Sequence, residues 1–212
     1  QFGGGSLMVN GMVSHQKKNN HFNVKLNANK VNSAELLRAF DNFGSKVLTP
    51  KSVSGQFFVS GVLDGYFDNA INLIQRSLTG NLKLTLNNSA LNQFEPLRRI
   101  GKYAFPFRNF DRVTIDPLVI NIVFKNGFAN IAPTPINTSV FNFDLAGSYG
   151  FYGNSNMQLD VHLRDPAKDK EITNKKVVQE NRKKGITLHL QAIEEGNAPF
   201  KIKLRYKNEK LQ

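Results

Sequence analysis

The side chains able to move a proton or hold a metal are few and widely spread. Histidine occurs at His15, His21, His162 and His189. A zinc-hydrolase helix needs two imidazoles four residues apart with a carboxylate between them, and no pair here has that spacing. Asp64, Asp68, Asp111, Asp116, Asp144 and Asp160 fall among turns and on the polar sides of alternating segments; acid–base work would require two of them to converge. Cysteine is absent, which removes disulfides, thiolate metal sites and a cysteine nucleophile together. No serine elbow, phosphate-binding Walker loop or calcium loop is written in the chain. Gly55, Gly61 and Gly65 sit inside an apolar, β-type stretch rather than at a strand-to-helix turn. They read as bulges or bends, not as a nucleotide cradle. The glycosylation triplets at Asn87 and Asn137 are too common by chance to carry weight. The expectation is a protein with no catalytic residues and no cofactor.

The elements that would position any site follow from periodicity. In RVTIDPLVINIVFKNGFANIAPTPINTSVFNFDLAGSYGFYGNSNMQLDVHL, residues 112–163, Leu118, Ile120, Ile122 and Phe124 alternate with Val119, Asn121, Val123 and Lys125. Phe141, Phe143 and Leu145 alternate with Val140, Asn142 and Asp144, and Met157, Leu159, Val161 and Leu163 alternate with Gln158, Asp160 and His162. A period of two sends each set to one side of a strand. The KNG, APTP and GSYGFYGNSN segments between them carry turn chemistry, so the stretch predicts a meander of antiparallel strands.

Upstream, residues 1–31 read as a long hairpin with a polar QKKNN tip, in which Phe22, Val24 and Leu26 alternate with Asn23, Lys25 and Asn27. NSAELLRAFDNFG has helix punctuation: Asn32 as N-cap, Glu35 completing a capping box, Leu36, Leu37, Phe40 and Phe43 at helical spacing, and Gly44 at the stop. Strand alternation returns from Lys51, and Leu82, Leu84 and Leu86 share a face. A second amphipathic helix is predicted over Ala90 to Ala104, with Pro96 near its start. Residues 164–184 form a charged loop or insertion, solvated and partly helical or mobile. ITLHLQAIEE and KIKLRY close the chain as two more strands, the last with Lys201, Lys203 and Arg205 on one face.

The formal charge is +12, from 28 basic and 16 acidic residues. Such an excess suits nucleic acid, anionic headgroups or plain solvation. Sheet-based nucleic-acid readers interleave aromatic and basic residues on an exposed face. FKNGF at 124–128 and YKN at 206–208 are too thin for that, so nucleic acid is not an expected partner. No apolar run approaches the roughly 18 residues that cross a bilayer. The start has neither an initiator Met nor a signal sequence, and the chain reads as a segment of a longer protein.

Taken in order, GSLMVNGMV with FNVKLNANKVN, VSGQFFVSGVLDG, GNLKLTLNNSAL leading to RRIGKY, and FKNGFANIAPTPINTSVFNFDLAGSYGFYGNSNMQLDVHL resemble the C-terminal region of the AsmA-like family of bacterial envelope proteins. The resemblance covers roughly residues 2–165 and is one of texture and order, without a sharp motif. It implies a periplasmic protein of outer-membrane biogenesis, tethered to the inner membrane through a segment outside this chain, with phospholipid as ligand and other envelope proteins as partners. The expected fold is mainly β (α+β): one domain over residues 1–212, built as a long, curved antiparallel sheet, groove-like or partly open, with two short amphipathic helices. The expected function is the binding or guiding of acyl chains along the apolar side. Alternation alone selects Ile120, Ile122, Phe141, Phe143, Leu145, Leu159, Val161 and Leu163 as groove-facing residues. The alternative is a scaffolding domain of an envelope assembly whose apolar faces are closed into a core.

Overall fold

A computed structural model of the chain describes residues 3–16, 18–39, 42, 48–105, 107–169, 171–196, 198 and 200–205. Phe40, Phe43 and Gly44, expected to finish the first helix, and the YKN segment at 206–208 lie outside these residues. Among the described residues eleven strands form one antiparallel sheet that does not close on itself. They are β1 (Ser6–His15), β2 (Asn20–Asn32), β3 (Val53–Phe67), β4 (Thr79–Asn92), β5 (Arg112–Ile115), β6 (Leu118–Lys125), β7 (Phe128–Ile136), β8 (Asn142–Gly150), β9 (Asn156–His162), β10 (Thr187–Ile193) and β11 (Lys201–Leu204). Each strand pairs with the next in sequence, except that the long β4 carries both β5, at its C-terminal end, and β6. This is a curved, open meander, as expected.

Turn chemistry sets the register. Asn126 and Gly127 take φ of 55° and 81° between β6 and β7, the two left-handed residues that a tight hairpin matching strand twist requires. The APTP segment, expected as a turn, lies instead within β7. Thr134, Pro135 and Ile136 pair with β8, opposite Leu145, Asp144 and Phe143, after a register shift between Ile131 and Thr134. On the other side the β6–β7 ladder holds only the four pairs from Ile122↔Ile131 to Lys125↔Phe128. Pro133 and Pro135 have no N–H to donate, so proline is tolerated where a ladder is missing.

Among the described residues three α-helices accompany the sheet: α1 (Ser33–Ala39), α2 (Glu95–Ala104) and α3 (Lys175–Arg182). Asn32 caps α1, its Oδ1 accepting from the backbone N–H of Ala34 at 2.9 Å. The reciprocal arm of the expected box is replaced, since the Asn32 N–H donates to the Gly3 carbonyl and Glu35 pairs with Arg38. The predicted helix over 90–104 begins only at Glu95, because Ala90, Leu91 and Asn92 remain in β4 opposite Thr114, Val113 and Arg112. Pro96 stands in the first turn, where its missing N–H costs nothing. α3 falls within the charged segment, capped by Asn174.

The deepest core lies at one end of the sheet. Leu36 and Leu37 of α1 and Leu97 of α2 join Val31, Phe57, Leu86, Leu118, Ile136, Phe143 and Val161 in one buried cluster. Phe141 precedes β8 and turns into an aromatic cluster, stacked on Phe105 at 5.3 Å between ring centres and 6.0 Å from Phe110. Gly101 of α2 is what lets Phe110 approach, because a Cβ there would lie 2.3 Å from an atom of the Phe110 ring. Gly101→Ala therefore trades a helix-propensity gain of about 1 kcal/mol against overpacking of about 1–3 kcal/mol. A lowered melting temperature for this variant is the expected outcome by calorimetry, whereas a solvent-facing helical glycine would give a raised one.

Candidate functional site

Cross-strand pairing lines up one side chain from each of ten strands. The row runs Val9, Leu26, Gly61, Leu82, Ile122, Ile131, Gly147, Met157, Ala192 and Ile202, each paired with the next. No member is polar. The neighbouring row, on the opposite face, runs Asn10, Lys25, Val62, Asn81, Val123, Asn130, Ser148, Asn156, Ile193 and Lys201 through the same pairings. One residue of offset thus separates a wholly apolar surface from a mixed, largely amide-bearing one. A depression of about 380 Å³ on the mixed face is bordered by Asn121, Asn130, Ser148, Asn156 and Gln158.

The apolar row is not sealed. None of its ten members is buried: the eight from Leu26 to Ala192 are half-buried, and Val9 and Ile202 at the two edges are 54% and 50% exposed. The surface beside it continues through Val24, Leu63, Leu84, Ile120, Leu145, Leu159, Leu188 and Leu190, all half-buried. Most of these leucines and isoleucines pack on one side against the buried core and keep part of their area accessible, and contiguous apolar surface of this kind is uncommon on a monomeric protein.

Depth divides the residues that alternation selected. Ile120, Ile122, Leu145, Leu159 and Leu163 are half-buried, and all but Leu163, which follows β9, lie on the apolar face. Phe143 at 7% exposure, Phe141 at 1% and Val161 at 0% belong to the deep core, with Phe141 packed against the Phe105, Phe110 and Phe143 rings. They wall off one end of the surface rather than line its open part. Leu26, Leu82 and Leu84 share that open part; their alternation is as regular as that of the chosen set.

The opposite face brings together a group that spacing alone does not reveal. Asp144 of β8 and Asp160 of β9 are direct cross-strand partners, a like-charge placement that is unfavourable unless each is compensated. Each has its own cation and imidazole. Asp144 accepts from Arg182 Nη1 at 2.8 Å and faces His162 Nε2 at 3.1 Å. Asp160 lies 2.7 Å from His189 Nδ1 and pairs with Arg205. The Arg182 and Arg205 side chains are 1% exposed. Arg182 also donates to the Phe143 carbonyl, while its Nε has no hydrogen-bond partner among the described residues. Asn181 reaches Asp169, which holds Arg164 through two hydrogen bonds. The charged 164–184 segment is therefore fastened to the sheet through α3, not simply solvated. The two carboxylates do converge, each held by a buried arginine, with His162 buried and His189 half-buried. Among the described residues no group of three or more His, Asp or Glu side chains is placed to hold a metal ion.

Burial raises the Asp144 carboxyl, but the hydrogen bonds from His162 and Arg182 and the Arg182 charge outweigh it and bring the group down to about 2. A depressed carboxylate contributes stability that is complete above its unfolded value, near 4, and is lost as pH falls toward 2. The contribution is about 2 kcal/mol. Asp144→Asn, which strands Arg182 in the interior, should cost about 3 kcal/mol at neutral pH and flatten the loss of stability between about pH 4 and pH 2. Urea unfolding at a series of pH values reads both effects.

Among the described residues no helix is long and apolar enough to cross a membrane. No family model, no curated protein and no solved structure matches this chain.

Proposed function

We propose that this chain is a non-enzymatic cell-envelope module that binds or guides phospholipid acyl chains along the apolar side of its sheet, in support of outer-membrane biogenesis. The observation that carries the reading is the unbroken apolar row from Val9 to Ile202, half-buried over eight strands and exposed at both edges. An acyl chain laid across such a surface gains about 0.8 kcal/mol for each methylene removed from water. No bond needs to be made or broken. The resemblance to the AsmA-like family supplies the compartment, the periplasm, together with an inner-membrane tether outside this segment and envelope proteins as partners.

Scaffolding by a closed domain is the rival reading, and it draws on the deep core beneath α1 and α2. The two differ in what the open part of the surface holds. Chain purified from a bacterial envelope should carry phospholipid detectable by native mass spectrometry, and Ile122→Asn with Leu159→Asn should strip most of it. Both positions are half-buried, so the variant retains the deep core, and circular dichroism verifies its fold. A lipid-free mass for wild-type chain that also takes up no added phospholipid would select the scaffold instead.

A further inference from the structure

α2 turns Leu97 into the core and Arg98, Arg99 and Lys102 outward. The loop that follows carries Phe107, whose side chain is 100% exposed. Next to it the half-buried Arg108 sits over the Phe105 ring, 4.4 Å from its centre, with one guanidinium nitrogen donating to the Val140 carbonyl and another 3.9 Å from Asp165. A depression of about 250 Å³ opens between Arg98, Lys102 and Arg108, with Asp111 on its rim. From Glu95 to Arg112 the sequence holds five cations and two carboxylates. The carboxylates are taken up locally, Glu95 by Arg99 at 3.1 Å and Asp111 near Arg98 at 3.8 Å. Lys102 has no carboxylate partner among the described residues.

We propose that this surface, formed by Arg98, Arg99, Lys102, Arg108 and Phe107, docks on the headgroup layer of an anionic phospholipid bilayer, with Phe107 inserted beneath the phosphates. A fully exposed phenylalanine flanked by cations is the composition of an interfacial anchor: the ring leaves water while the charges stay at phosphate depth. Phe105 stacks on Phe141, and both pack against the tilted Phe110 ring at the base of the loop. A nucleic-acid strand calls for rings set along a groove that tracks its backbone, whereas Phe107 stands at a loop tip. The surface lies at the sheet end closed by these rings, away from the half-buried row, and the proposal stands whether or not that row holds lipid.

The test is co-sedimentation of the 212-residue chain with vesicles of equal parts phosphatidylglycerol and phosphatidylcholine, and with phosphatidylcholine alone. Wild-type chain should partition onto the anionic vesicles, far less onto the neutral ones, and less as salt rises. Phe107→Ser should weaken partitioning about tenfold. Arg98→Ser with Lys102→Ser should weaken it about fivefold per charge removed. Lys201→Ser with Lys203→Ser removes the same net charge from exposed positions on β11 and should leave partitioning unchanged. All these side chains are exposed, and an unchanged melting temperature confirms each variant folded. The proposal fails if wild-type chain ignores anionic vesicles, if the β11 variant loses as much as the α2 variant, or if Phe107→Ser has no effect. Binding of a single-stranded oligonucleotide, abolished by the α2 variant while vesicles are ignored, would overturn it in favour of nucleic acid.

Discussion

A slip of one residue between two antiparallel strands moves every side chain of one of them to the opposite face. Ten successive strands here keep the register that puts Leu26, Leu82, Ile122, Ile131 and Met157 on the same side. Everything else in the molecule depends on that alignment. Both the apolar surface and the amide-bearing one exist only while it holds, and α1 and α2 find a face to cover only because the strands agree. The alignment is defended by local devices: the Asn126–Gly127 hairpin, the bulges that absorb odd residues in β2, β4 and β7, and the buried ion pairs across β8 and β9.

Those ion pairs illustrate how a polar face can be specified. Two aspartates set opposite each other would push β8 and β9 apart, and the placement is tolerable only with Arg182 and Arg205 in position. A shifted pairing of β9 would leave charges buried without partners, which costs several kcal/mol. The cluster therefore penalises wrong registers more than it stabilises the right one. It also explains why a strongly basic segment lies down on the sheet: α3 supplies the cation that β8 lacks.

Much of this was legible in the residues themselves. Period-two alternation in 118–125 and 157–163 located β6 and β9, and Asn32 marked the start of α1. Alternation failed where it says nothing: it identifies a face but not a depth. Phe143 and Leu145 are indistinguishable by period, yet one lies under an aromatic cluster and the other beside an accessible surface. Prolines misdirected the reading of 132–135, because a turn and a strand with one unpaired side tolerate them equally. Ala90 to Asn92 fit a helical period as well as a strand, and only the arrival of β5 decides between them. Arg182 finds Asp144 at a distance of 38 residues along the chain, which leaves no local trace.

The short ladder between β6 and β7 has a mechanical consequence. β2 and β3 are joined by eleven pairs, β6 and β7 by four. Beyond Ile122 the two strands part, and the chain is tied again only where Asp116 meets Asn137 and Thr114 meets Ser139. Bending stiffness is therefore low along one line near the middle of the sheet, with a plate of strands on either side and a fastening at each end. The apolar row crosses that seam at Ile122 and Ile131, the last ladder pair before Pro133 and Pro135 leave β7 without N–H groups to offer β6.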